Sequence, residues 1–259
     1  MSRSPHHSYP SLKCTRPSPQ NSLTACFRSA PGGAVTLATD GESFGHHHHF
    51  GERLLAHALS AEAPSRGLTV THPAAFLDST DERRPVQIAE SSWSCVHGIE
   101  RWRSDCGCST GGEPGWNQRW RTPLRHALDV LRDTAAEIFD RRGRDVLKDP
   151  WAARDAYIAV VSGAQAADDF LAEHAHGDRV TALTLLESQR FAMAMYTSCG
   201  WFFNDLAGLE TAQLLRYAAR AADCLRELGE KAPLEGMLSV LEQAENNVAA
   251  EGTGRDVWR

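Results

Sequence analysis

Residues 116–139 read "WNQRWRTPLRHALDVLRDTAAEIF", and their spacing decides the fold class. Trp116, Trp120, Leu124, Leu128, Leu131, Ala135 and Ile138 recur every three or four residues, which is one apolar stripe along a helix. The same period returns downstream. "DPWAARDAYIAVV" (149–161) offers Asp149 as an N-cap and Pro150 at the first helical position. Further helices are predicted at 165–175, 179–196, about 206–228 and about 234–249, with Gly229 ending the first of the last pair. Together these make a bundle of antiparallel helices over residues 116–259.

Upstream the pattern changes. "AVTLAT" (34–39) is short, mostly apolar and partly β-branched, and predicts a strand that ends at Asp40–Gly41. "FGERLLAHALS" (50–60) then has helical spacing, so strand, loop and helix follow in order. "GLTVTH" (67–72) and "RPVQIAE" (84–90) predict two more strands, with a short helix at "PAAFLDS" (73–79) between them. The fold class read from the sequence is therefore α/β, predominantly helical. Residues 1–30 are rich in Ser, Pro and Arg without periodicity and are expected to be disordered or spurious. The two remaining domains are a partial (β/α) segment at 31–115, with active-site loops, and the helical bundle at 116–259.

Bulk composition narrows the functional class. The chain has 259 residues and a formal net charge of −6, which is no footprint for nucleic acid or an anionic membrane. No apolar run approaches the ~20 residues a spanning helix needs. Arg3 has no apolar stretch behind it, so no secretory signal is read. Seven cysteines is an odd count, which argues against a fully paired secreted framework and for a reducing cytoplasm.

Four groups of residues carry candidate chemistry. If the strand persists to residue 40, Asp40 and Glu42 would point the same way, roughly 6–7 Å apart at Cα. The competing reading is a turn at Asp40–Gly41 with Glu42 capping the next helix. His46, His47, His48 and His49 follow, bracketed by Gly45 and Gly51; they suit hydrogen bonding to a sugar or carboxylate, or one or two of them serve a zinc site with ligands from elsewhere, or they form a solvated polar loop. Cys95, His97, Cys106 and Cys108 form C-x-H-x8-C-x-C, a ligand inventory suited to zinc. A disulfide or simply buried thiols are the alternatives there. Trp93 and Trp102 lie in the same 25-residue loop beside Arg101, Arg103 and Asp105, as an indole platform for a sugar would. "YTSCGWFFND" (196–205) presents Trp201 and Asp205 in a similar setting.

These patches together resemble glycoside hydrolase family 57, in its bacterial branch with an uncharacterised C-terminal domain. "TDGESFGHHHHFGE" (39–52) is similar to the family's fourth sequence region. "SSWSCVHGIERWRSDCGC" (91–108) resembles a Ser-Trp loop that lines the sugar cleft. "WNQRWRTPLRHAL" (116–128) is similar to the start of the helical domain, and "YTSCGWFFNDLAGLETAQLLRYAARA" (196–221) to the fifth region. The resemblance implies an incomplete (β/α)7 barrel followed by helices, acting on an α-glucan or oligosaccharide with retention, without a cofactor. It implies Asp40 as the general acid/base, with Glu42 and His46 to His48 on the rim beside it. It places Trp93, Trp102, Trp201 and Asp205 along the cleft. The family's nucleophilic Glu and its opening His-Gln-Pro-like block match nothing here. The expectation is a fragment truncated at the N-terminus, inactive or weakly active alone, with unpaired sheet edges. Two other classes stay open: a metal-binding Cys/His module, and a helical module that docks a partner.

Overall fold

The structure is a computed structural model that describes residues 34–36, 38–81, 85–92 and 94–259. The expectation for residues 1–30 lies outside the described residues, as does Trp93. Contacts divide the chain into two units, Met1–Gln87 and Ile88–Arg259.

In the first unit, α1 (Gly51–His57) runs on through a π-helical turn at Ala58–Glu62 and a last turn at Ala63–Ser65. The helix α2 (Pro73–Asp78) follows, with Pro73 at its first position and His72 as N-cap, its Nδ1 accepting the Ala75 N–H at 3.3 Å. Both helices were predicted. The three predicted strands are not formed: among the described residues of 34–39, 67–72 and 84–90 there is no ladder, and only isolated bridges occur among the described residues of the chain. A strand is a property of a pair, and these segments find no partner backbone among the described residues. Val86 and Ile88, in the third of these segments, are 85% and 90% exposed.

The second unit is helical. The helix α3 (Arg121–Gly143) buries Leu124, Leu128, Leu131, Ala135 and Ile138 of the predicted stripe, and Phe139 beside them. Asp149 caps α4 (Pro150–Ala156) by accepting the Ala152 N–H at 3.0 Å. A short α5 (Ile158–Val161) and then α6 (Ala167–His174) lead to α7 (Arg179–Ala194), capped by Asp178. A single turn, α8 (Cys199–Phe202), precedes α9 (Leu209–Glu227). Gly229 turns the chain at φ 75° into α10 (Leu234–Leu241), and α11 (Gly254–Trp258) ends it. The core packs α7 against α9 and α3, and α10 against α3.

Two predicted features move. The last long helix stops at Leu241 rather than near 249. Beyond it Asn246 and Asn247 spend their side chains on other backbone: Asn246 accepts the Ala207 N–H, and Asn247 donates to the Asn117 and Asn204 carbonyls. Trp116 precedes α3 instead of joining its stripe, and is half-buried. No described helix is long and apolar enough to cross a membrane.

Candidate functional site

Asp40 and Glu42 do not share a strand face. Residues 41–50 coil into successive turns, in which the Ser43 N–H donates to the Asp40 carbonyl at 3.1 Å and the His47 N–H to Glu42 at 3.0 Å. The His48 N–H donates to Ser43, closing a bridge between Phe44 and His48. Gly51 is buried beneath this coil, where a Cβ would stand 3.2 Å from the Phe44 backbone. Phe50 takes a left-handed φ of 63° to bring the chain into α1. Asp40, Glu42, His46, His47, His48 and His49 are all exposed, and the His46 and His47 rings meet edge to face at 4.9 Å. The turn alternative is the one the structure adopts at Asp40–Gly41, and Glu42 caps no helix.

The cysteine loop belongs to the second unit. Its backbone is bent at Gly98 (φ 79°), where a Cβ would come 2.8 Å from the Glu90 carbonyl oxygen. Gly107 (φ 78°) makes the second bend, between Cys106 and Cys108. These bends bring four ligand atoms within 4.8 Å of one another, from Cys95, His97, Cys106 and Cys108. Cys95 Sγ lies 3.8 Å from Cys106 Sγ and 4.0 Å from His97 Nδ1, while Cys108 Sγ lies 3.5 Å from the same nitrogen. Cys95 is buried, Cys106 and Cys108 are half-buried, and His97 is exposed. Burial pushes the Cys95 thiol up, but backbone N–H groups of Arg101 and His97 and the other two thiols outweigh it and bring it to about 7. Burial, with Cys95 alongside, pushes the Cys106 thiol up.

Two arginines flank this cluster. Arg101 is 2% exposed and Arg121 is 0% exposed, and neither forms an ion pair with a described carboxylate. Arg101 donates to Thr110 Oγ1 at 3.2 Å and lies over the Phe202 ring at 4.7 Å. Arg121 donates to the carbonyls of Cys108 at 3.5 Å and Phe203 at 3.2 Å. Burial first, and then the Arg101 charge, pulls the Arg121 guanidinium down to about 10. The Nε of each arginine has no hydrogen-bond partner.

Further along, the loop is fastened to the helices. The Thr110 N–H donates to Asn204 Oδ1 at 3.1 Å, and Asn204 Nδ2 donates to the Gly111 carbonyl. Beside this junction is a depression of about 390 Å³, whose lining includes Thr110, Trp116, Phe203, Asn204, Asp205 and Glu251. Asp205 faces it while its carboxylate accepts the Asn247 N–H at 3.0 Å. Trp102 is half-buried against the core. Trp201 is 0% exposed and donates its indole N–H to the Met195 carbonyl at 3.3 Å, so it is a core side chain and not part of a cleft wall.

Sequence reasoning missed Arg121 and Asn247, and it gave Arg101 and Asn204 no part in fastening the loop. Their residue types normally read as solvated; Arg101 lies between the cysteines and Asn204 within "WFFND", while nothing local in the sequence marks Arg121 or Asn247. No curated protein and no solved structure matches the chain. A family described as "Domain of unknown function (DUF3536)" matches residues 116–259, more than half of the length, and the chain belongs to that family.

Proposed function

We propose that this chain serves a retaining, α-glucan-acting enzyme of the glycoside hydrolase family 57 type in the cytoplasm, contributing the acid/base carboxylate and sugar-binding surface. The observation that carries the reading is the family match at 116–259. It begins at Trp116, where the resemblance puts the start of the helical domain, and the resemblance is to a branch with an uncharacterised C-terminal domain. The depression lends support, because Trp116 and Phe203 offer rings for a sugar face while Asn204, Asp205 and Glu251 offer polar atoms for its hydroxyls.

In such a reaction Asp40 protonates the glycosidic oxygen as the bond to the anomeric carbon breaks, then takes a proton from the water that releases the sugar. A carboxylate about 5–5.5 Å from it must attack the opposite face of the ring. Glu42 sits two residues away on the same turn and cannot reach around the sugar to that face. No other residue matches the nucleophile, so this chain by itself binds glucan without turning it over.

The test is titration of the purified chain with maltoheptaose, following tryptophan fluorescence, with products assayed by chromatography. Saturable binding is expected, weakened about three- to tenfold by Trp116→Ala. Absence of saturable binding to both maltoheptaose and isomaltoheptaose overturns the reading. Turnover that Asp40→Asn abolishes would keep the glycosidase but remove the claim that the chain is inactive alone.

A further inference from the structure

The geometry points to a structural zinc site made by Cys95, His97, Cys106 and Cys108, which clamps the cysteine loop onto the helical unit. This inference is independent of the glucan reading and stands or falls without it.

The first argument is metric. A tetrahedral zinc with Zn–S of about 2.3 Å has sulfur–sulfur edges of about 3.8 Å. With Zn–N near 2.0–2.1 Å, its sulfur–nitrogen edges are about 3.6 Å. The observed sulfur–sulfur separation of Cys95 and Cys106 is 3.8 Å, and the sulfur–nitrogen separations to His97 are 3.5 and 4.0 Å. All remaining ligand pairs lie within 4.8 Å. A multinuclear iron–sulfur cluster needs a wider cage than this.

The second argument is chemical. Three thiolates and one imidazole are a closed structural zinc set, with no position left for water or substrate. Sequence spacing alone is unlike a common zinc finger, because C-x-H and C-x-C are so tight. The left-handed bends at Gly98 and Gly107 are what make the tight spacing workable.

The third argument is charge. A zinc ion with three thiolates carries a net charge of −1. Arg101 and Arg121 are buried next to it, and neither is ion-paired to a described carboxylate, although Asp105 lies near enough to Arg121 to act on its charge. Two guanidiniums in a dry setting need a counter-charge, and an anionic zinc–thiolate centre supplies one. Through Arg121 and the Cys108 carbonyl, and through Arg101 and Thr110, the centre would hold the loop that lines the depression. Such a site contributes folding energy to the loop and not chemistry to a substrate.

The experiment is elemental analysis of the full chain, isolated under reducing conditions from medium containing both zinc and iron. About one zinc per chain is expected in the wild type and in Cys199→Ser, with near-complete loss in Cys106→Ser and Cys108→Ser. Cobalt titration of the metal-stripped wild-type chain should give tetrahedral ligand-field bands and thiolate charge-transfer bands at one equivalent. That measurement decides the matter even if the cysteine variants fail to fold. The proposal is overturned by a wild-type chain that holds no stoichiometric zinc and gives no tetrahedral cobalt spectrum. It is also overturned by iron in place of zinc, or by a Cys95–Cys106 disulfide in freshly isolated protein.

Discussion

Gly200 shows how much a single position can carry. It lies in the one-turn helix α8, and a Cβ built there would overlap the side chain of Leu214, which is 1% exposed on α9. Leu214 has no room to withdraw in a close-packed core. Gly200→Ala should therefore destabilise the protein by about 1–3 kcal/mol, read as a lower denaturant midpoint with an unchanged slope. Nothing in "YTSCGWFFND" announces this, because a Cys-Gly pair between helices reads equally well as a simple break. Trp201, next to it, misled for a related reason: an aromatic cluster beside polar residues looks like a sugar platform until the indole is seen to be fully enclosed. The cysteine cluster is the opposite case. Its ligand types were legible in the sequence, while the fit of its distances and the buried arginines behind it were not. Charged residues are read as solvated by default, and only packing makes Arg101 and Arg121 exceptions.

At the scale of elements, the helices were legible because each carries its own evidence. Period, cap and stop lie within the segment: Asp149 and Pro150 start α4, and Gly229 follows α9. Strands carry only half of theirs, since the ladder partner is elsewhere in the chain, and 34–39, 67–72 and 84–90 find none among the described residues. Helix ends also depend on remote groups, as Glu230 illustrates. It follows the turn at Gly229 and accepts hydrogen bonds from Arg141 at 2.9 Å and Arg142 at 2.8 Å, at the far end of α3. These bonds hold its carboxyl below the ordinary 4.5. A carboxyl depressed in the folded state binds fewer protons there than when unfolded, so its stabilisation is complete above the unfolded value. It is lost as pH falls through the lower, folded value. Thermal melts of wild type and Glu230→Gln should thus differ at pH 6–7, with the wild type more stable. The gap should close as pH drops below about 4.5. A gap that stays constant down to pH 3 would mean that the two arginines do not act through the carboxylate charge.

The whole molecule is unevenly endowed. The buried apolar cluster runs from Trp120 to Ala244, entirely within the unit Ile88–Arg259. Among the described residues of the other unit, Ala58 and Ala63 are the buried apolar side chains. Burial of apolar surface is the main favourable contribution to folding, so cooperative stability should reside in the second unit. The cysteine loop is fastened to that unit by Arg101, Thr110 and Arg121. Sequence reading gave those residues no such role, because a tether between loop and helix has no periodicity. A chain of residues 88–259 should therefore fold alone. It should melt cooperatively within a few degrees of the full-length midpoint, measured by circular dichroism at 222 nm, and should keep its zinc. A broad, non-cooperative transition would show that residues before 88 supply packing this core lacks. Stripping the metal offers an internal control, since it should lower the midpoint of the full and shortened chains by the same amount if the zinc clamps only the second unit. A larger fall in one than in the other would place part of the zinc's influence outside the unit that supplies its ligands.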